Sequence, residues 1–190
     1  MRSDMILLTS VALVASTGSF AEQQRSTSVY TDVSGKTCIK HIDDELTGAY
    51  TLDCTGIRGY RLQVLNDDER SSVNIVTPDK KTFPLDYWDV VTPGFSSLGN
   101  KAEWRLYRQA QQSFPVALIV RLNTLDQSDP GTPKRRSILV VARISQNSAC
   151  VTHTVDAKTP HANDRARQFA DDVHAACLPR NSNVITSTKG

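Results

Sequence analysis

Alternating apolar and polar residues recur through the middle of the chain, and they predict β-strands. Every second residue is apolar in residues 49–54, 60–65 and 102–107. A period of two places these apolar side chains on one face of a strand and leaves the other face polar. Gly- and Asp-containing stretches at 55–59 and 66–70 punctuate the pattern and are typical of turns.

Two later segments, 114–122 and 137–144, are apolar on both faces. Strands of this kind are typically central in a sheet and covered on both sides. With 72–77 and 150–156 added, the pattern predicts about seven strands.

The pattern changes to three- and four-residue spacing after the last strand, which indicates a helix. Thr159-Pro160 is a helix start signal, and Leu178-Pro179 ends the segment. Its apolar stripe consists of Ala166, Phe169, Ala170, Val173, Ala176 and Cys177. The sequence therefore predicts an α+β fold. A mostly antiparallel sheet, curled or forming a half-barrel, carries one C-terminal helix packed on a face.

The N-terminus has the features of a signal peptide. Residues 5–15 are an apolar run that is too short to span a bilayer. Small residues follow at Ser19 and Ala21, the −3 and −1 positions that signal peptidase requires. We therefore expect residues 1–21 to be a signal peptide that is cleaved after Ala21.

The composition of residues 22–190 predicts an N-terminal segment, one domain and a C-terminal tail. Residues 22–36 are polar and predict a loose N-terminal segment, and residues 179–190 predict a flexible tail. Residues 37–178 contain no repeat or linker and predict a single α+β domain.

Four cysteines remain after cleavage, and their even number in an exported chain predicts two disulfides. Three pairings are formally possible. Cys38–Cys54 and Cys150–Cys177 are preferred because each closes a local unit. Zinc is the competing use, but no closely spaced Cys or Cys/His pair supports it. Disulfides and the signal peptide together predict a periplasmic or secreted protein.

The net charge and the absence of known motifs reduce the number of plausible classes of binding partner. The formal net charge of +2 gives no reason to expect nucleic acid. The mature chain has no apolar run of transmembrane length, and no phosphate-binding or dinucleotide motif occurs. The sequence thus predicts no cofactor and no metal, and it favours a protein or envelope component as partner. The oligomeric state stays open.

The histidines do not predict a shared site. His41 lies in an acidic stretch that is typical of a solvated turn, while His161 and His174 fall at opposite ends of the predicted helix. Alternation places His153 among apolar residues, on the face of its strand opposite the helix. We assign no catalytic residue, although His153 with a nearby acid is the candidate for a hydrolase.

A binding surface is predicted from aromatic and arginine residues, which are enriched where binding energy concentrates. Arg105 and Tyr107 fall on the polar face of strand 102–107, and Trp104 falls on its core face. Tyr87 and Trp88 come from the long aromatic loop 78–100. These four residues, Arg105, Tyr107, Tyr87 and Trp88, form the candidate surface.

In general character the chain resembles small, disulfide-containing, β-rich proteins exported by bacteria, some of which inhibit enzymes and some of which serve the envelope. No motif matches one of these proteins residue by residue, and the sequence as a whole favours a non-catalytic exported binding or accessory protein. An inhibitor of a secreted enzyme, presenting loop 78–100 or 124–136, is the first alternative. A small hydrolase that uses His153 is the second.

Overall fold

The computed structural model describes residues 26–126, 131–132 and 134–180. Within these ranges the chain forms ten strands and two short helices. The strands are β1 (Thr27–Asp32), β2 (Cys38–Asp44), β3 (Ala49–Thr55), β4 (Arg61–Asp67), β5 (Arg70–Val76), β6 (Thr82–Pro84), β7 (Ser96–Gln109), β8 (Gln112–Asp126), β9 (Lys134–Ile144) and β10 (Ala149–Asp156). The helices are α1 (Tyr87–Val90) and α2 (Ala162–Ala170).

The strands form two antiparallel sheets of five strands each. Sheet A has the order β1-β7-β8-β9-β10, and sheet B has the order β2-β3-β4-β5-β6. Sheet B and most of sheet A are meanders, in which each strand pairs with the next along the chain. Strand β1 is the exception, because it crosses over to pair with β7. The strand orders are open, so neither sheet closes into a barrel.

The two sheets face each other across one hydrophobic core, and α2 adds a third layer. Inward residues of both sheets are fully buried in this core, among them Leu62, Val73, Ile75, Trp104, Leu118, Val120 and Val140. The opposite face of sheet A packs against α2 through Ile119, Val141, Val155, Ala166 and Ala170. Strands β8 and β9 are therefore covered on both sides, as their two apolar faces predict.

The predicted fold class is confirmed: a mostly antiparallel β-fold with one main helix near the C-terminus. The strands are divided between two sheets rather than joined in one curled sheet. Among the described residues, α1 and α2 have four and nine residues. Neither is long and apolar enough to cross a membrane.

The N-terminal part of the domain is more ordered than its composition predicts. Residues 27–32 form β1, so the expectation of a loose segment is wrong there. The acidic stretch around His41 belongs to β2 rather than to a turn. Both segments are edge strands whose side chains are mostly exposed on both faces. Their sequences therefore lack the alternation of apolar and polar residues by which strands are recognised.

Helix α2 ends at Ala170, earlier than the stripe up to Cys177 predicts. The Cys150–Cys177 bond fixes the end of this segment against β10, and the Leu178 N–H donates to the Val151 carbonyl at 2.8 Å. The chain has to leave the helical path to reach that strand.

Strand β10 also contains a bulge between Val151 and His153, which changes the predicted faces. Val151 points into the core between the sheets, whereas Val155 packs on the α2 side. His153 stacks on Phe169 of α2 with ring centroids 4.1 Å apart. The prediction that His153 lies opposite the helix is therefore wrong, because the extra residue of a bulge reverses the alternation.

Candidate functional site: an open cleft at one end of the sheets

An open cleft with a volume of about 1070 Å³ lies where the strand ends of the two sheets meet. Sheet B contributes the β2–β3 turn and the β4–β5 turn. Sheet A contributes the beginnings of β7 and β9 and the end of β8, and Lys158 follows β10. The lining residues are Thr47, Gly48, Tyr50, Asn66, Asp67, Asp68, Glu69, Arg70, Ser71, Phe95, Ser96, Ser97, Asn123, Thr124, Leu125, Arg135, Arg136, Ser137 and Lys158.

Hydrogen bonds join the two sheets at the floor of the cleft. The Ser96 N–H donates to the Glu69 carbonyl at 2.9 Å, and the Ser71 N–H donates to Ser96 Oγ at 3.1 Å. The Ser71 hydroxyl donates to Asn66 Oδ1 at 2.8 Å. Because Ser71 and Ser96 are buried, these bonds hold the β4–β5 turn in a fixed position against β7.

The β4–β5 turn forms one rim of the cleft and has an uncommon backbone. Asp67 pairs with Arg70, which leaves Asp68 and Glu69 as a two-residue loop. Both loop residues have positive φ, 48° and 55°. Two-residue hairpin loops with positive φ at both positions favour Asn-Gly, since glycine adopts this region without strain. Here the loop carries two carboxylates instead.

The two rims carry opposite charge. The rim from sheet B presents Asp67, Asp68 and Glu69, and the rim from sheet A presents Arg135, Arg136 and Lys158. Hydroxyl and amide side chains cover the surface between them, together with the half-buried rings of Tyr50 and Phe95. The cleft therefore offers hydrogen bonds and both signs of charge to one bound molecule.

Arg70 is the basic residue on the acidic rim, and its neighbours hold it in place. Its guanidinium lies 5.5 Å from the ring centroid of Trp88 and 3.5 Å from Asp68 Oδ2. A cation over an indole face is a favourable contact. Trp88 thus lies beneath a cleft residue without lining the cleft itself.

Arg105 does not belong to an exposed binding surface, because it is 7% exposed. Its guanidinium donates to both carboxylate oxygens of Asp171, at 2.9 Å and 2.7 Å, and to Ser28 Oγ at 2.6 Å. The polar face of β7 that the sequence predicted to be wet is covered by the end of α2. The prediction of exposure failed because a polar helix flank covers this face through ion pairs rather than through apolar contacts.

Glu103 lies next to Arg105 and completes this ionic cluster. Arg167 Nε donates to Glu103 Oε1 at 2.7 Å, and Arg167 Nη2 donates to the Tyr30 hydroxyl at 3.0 Å. Burial raises the pKa of Glu103, but hydrogen bonds from Arg167 and Ser28 lower it more, so the pKa lies below its usual value. The same partnership raises the pKa of Arg167. The cluster joins β1, β7 and α2 and has a structural role.

The other three predicted surface residues are not grouped together. Tyr87 is 1% exposed, and its burial raises the pKa of its hydroxyl. Trp88 is half-buried in α1. Tyr107 is half-buried at the far end of β7, paired with Phe114 of β8. The structure therefore does not bring Arg105, Tyr107, Tyr87 and Trp88 into one exposed surface.

The long loop at 78–100 packs onto the domain instead of projecting from it. Leu85 and Tyr87 are buried in the core, and the Tyr87 N–H donates to Ser72 Oγ at 3.0 Å. Of the second predicted loop, 124–136, residues 127–130 and 133 lie outside the described residues. Among the described residues, Leu46 at the tip of the β2–β3 hairpin is almost fully exposed.

His153 is stacked on Phe169, and its buried Nδ1 has no hydrogen-bond partner among the described residues. It does not line the cleft. Among the described residues, no group of three His, Cys, Asp or Glu side chains is arranged to hold a metal ion.

Both disulfides are present in the pairing preferred from the sequence. Cys38 bonds Cys54 directly across the β2–β3 pair, and Cys150 bonds Cys177 beyond α2. Two structural disulfides are typical of oxidising compartments such as the periplasm or the extracellular space. The predicted signal peptide lies outside the described residues.

Comparisons with protein-family models, with curated proteins and with solved structures find no match to this chain.

Proposed function

We propose that this protein is an exported, non-catalytic binding protein that holds a polypeptide segment of mixed charge in the cleft. The observation that carries the proposal is the pair of oppositely charged rims across a polar floor. A ligand that satisfies both rims has to carry acidic and basic groups a short distance apart. Polypeptide segments combine such side chains with backbone groups that bond to serine, threonine and asparagine.

The size and rigidity of the cleft support this proposal. Its volume of about 1070 Å³ is slightly above the range of small-molecule sites, roughly 300–1,000 Å³, and is sufficient for several residues of peptide. The hydrogen-bonded floor keeps the acidic rim in place, so little ordering of that rim is needed on binding. The positive φ at Asp68 and Glu69 is a local cost to folding, and such strain is often found at functional positions.

The test uses three blocked hexapeptides added to the isotope-labelled mature protein, with binding followed by NMR. One peptide is Lys-Lys-Ser-Gly-Glu-Glu, and the other two replace all charged positions by Lys or by Glu. The mixed peptide should shift the amide signals of Glu69, Ser97 and Asn123 and bind more tightly than either single-charge peptide. If none of the three peptides shifts these signals, the proposal is overturned.

Two variants show whether the rims act as described. Glu69→Gly removes a rim charge at a position whose positive φ favours glycine, so we expect the fold of the turn to be kept. Arg135→Ala removes a charge from the other rim. Each should weaken binding of the mixed peptide about two- to fivefold. The control Arg108→Ala, at the opposite end of β7, should leave the affinity unchanged.

Export is proposed from the N-terminal pattern together with the disulfides. Expressed in a bacterial host with its own N-terminus, the protein should accumulate outside the cytoplasm and begin at Glu22. N-terminal sequencing of the purified protein measures this directly. A chain that retains Met1 and stays in the cytoplasm would contradict the proposed localisation.

A further inference from the structure

Strand β2 forms an edge of sheet B with both of its faces open. Ile39 is 67% exposed and Ile42 is 55% exposed, although they point to opposite faces of the strand. Among the described strands, β2 pairs only with β3. The other edge of the same sheet, β6, has three residues and ends in Pro84, a common protection against further pairing. Strand β2 is longer and does not contain proline.

The backbone of β2 is arranged to accept another strand. Cys38 lies directly opposite Cys54 with a Cα–Cα distance of 4.2 Å, the short spacing of a pair that does not exchange hydrogen bonds. By alternation, Lys40 and Ile42 also do not bond to β3, so their N–H and C=O groups point away from the sheet. The bulge begins only after Ile42, which leaves this edge regular.

The charge pattern along β2 indicates what fits against this edge. Lys40 lies before the central residue His41, with Lys36 just ahead of the strand, and Asp43 and Asp44 lie after it, with Glu45 just beyond the strand. An antiparallel copy of the same strand places the basic half of each chain beside the acidic half of the other. A parallel copy would place like charges together, which destabilises cross-strand pairs.

We propose that β2 is a self-association edge, at which a second copy of this chain pairs in antiparallel orientation to join two B sheets. The two-fold axis passes beside His41. Around it, the backbone of Lys40 in one chain exchanges hydrogen bonds with that of Ile42 in the other. This pairing also covers the exposed side chains of Ile39 and Ile42.

One strand pair forms a small interface, so the dimer is weak. Standard protein interfaces bury about 1,600 Å² in total, and smaller contacts belong to transient complexes. We expect a dissociation constant of roughly 10 to 500 µM at low salt. Added salt should weaken the dimer because the charge pairs are exposed.

The decisive experiment is a charge swap measured by sedimentation equilibrium on the mature protein at pH 7.5. Lys40→Glu leaves β2 without a lysine. Asp43→Lys with Glu45→Lys leaves Asp44 as the only carboxylate of the strand, so each variant carries mainly one sign of charge along this edge. Each variant alone should be monomeric, because its own copies repel each other. An equimolar mixture of the two should form a heterodimer about as stable as the wild-type dimer. Arg108→Glu, with the same charge change at a distant exposed position, should dimerise like the wild type.

A wild-type protein that stays monomeric above this concentration range overturns the proposal. So does a dimer that both charge variants retain, because its interface would then lie elsewhere. A second measurement covers the case in which a variant fails to fold. Under mild oxidation, His41→Cys should form a covalent dimer across the axis much faster than Leu46→Cys at the exposed hairpin tip. Equal rates overturn the proposed register.

Discussion

At the scale of single residues, the ionic cluster of Glu103, Arg105, Arg167 and Asp171 joins β7 to α2, and its hydrogen bonds to Ser28 and Tyr30 attach β1. Its two central side chains, Glu103 and Arg105, are buried, so each depends on its partner to offset the loss of water. Removing one partner leaves the other charge uncompensated. We therefore expect the contribution of this cluster to the free energy of unfolding to depend clearly on pH.

Glu103→Gln should lower the free energy of unfolding at pH 7 by about 2 kcal/mol, below the range for fully buried pairs because Arg167 is partly exposed. The pKa of Glu103 is lower in the folded than in the unfolded chain. Its contribution is therefore complete above the usual glutamate pKa of about 4.3 and is lost as the pH falls through the lower folded value. Urea unfolding of both proteins from pH 7 to pH 2 should show the difference shrinking below about pH 4.

Asp164→Asn is the control for this prediction, because Asp164 contacts the same Arg167 at 3.1 Å but is mostly exposed. It should change the stability little at any pH. A stability difference for Glu103→Gln that does not change with pH would show that shape, and not charge, is responsible.

At the scale of elements, α2 and the segment after it are held against β10 by apolar contacts, by the Leu178 backbone hydrogen bond and by the Cys150–Cys177 bond. The other disulfide lies within one hairpin and fixes the pairing of β2 with β3. The two bonds thus constrain separate elements, and their removal should have different local effects.

Replacing Cys150 and Cys177 together by alanine should cost about 3.5 kcal/mol, from the 27-residue separation, and replacing Cys38 and Cys54 should cost about 3 kcal/mol from the 16-residue separation. Hydrogen exchange distinguishes the two variants. The Leu178 amide should exchange rapidly only when the Cys150–Cys177 bond is missing. Equal protection in both variants would mean that the backbone contact holds the segment without the disulfide.

The elements that could be predicted are those whose side chains alternate between core and solvent. Strands β3, β4 and β7 gave this signal clearly, and β8 and β9 were recognised instead by two apolar faces, which matches their central, covered place in sheet A. Strands β1 and β2 did not, because an edge strand with open faces has no need for alternation, and β6 is only three residues long. The end of α2 was missed because a covalent bond, rather than the local pattern, determines the path of the chain there.

The candidate site was less predictable than the fold. The cleft is assembled from turns and strand ends between Thr47 and Lys158, and no short motif connects them. The signal that was available is the Asp68-Glu69 pair in a tight hairpin loop, where Asn-Gly is the common choice. Alternation correctly placed Arg105 on the face of β7 opposite Trp104. It could not show that α2 covers this face with matching charges.

At the scale of the whole molecule, the sheets are joined by one continuous core. Trp104 is fully buried between them, donates its indole N–H to Thr31 Oγ1 at 2.9 Å and contacts the edge of Tyr60 with ring centroids 6.0 Å apart. Gly56 lies so close to the Trp104 ring that a Cβ at position 56 would be 2.8 Å from it. Neither sheet can bury its inner face without the other.

We therefore expect the oxidised protein to unfold in a single cooperative transition. The chain has two tryptophans, so a Trp88→Phe variant leaves Trp104 as the only fluorescent indole between the sheets. Its fluorescence and the far-UV circular dichroism should change at the same urea concentration. Separate midpoints would show that one sheet is stable without the other.

The path of the chain through the two sheets has a consequence for the timing of folding. Of the described strands β1 is synthesised first, but its partner β7 lies almost 70 residues further along, after the whole of sheet B. As the chain emerges from a ribosome or a translocation channel, the successive hairpins of sheet B can form at once, and the first disulfide can close within them. Strand β1 has to wait, unpaired, until β7 arrives. Strand β1 is therefore made well before its partner, and it reaches its final place only after sheet B has been made.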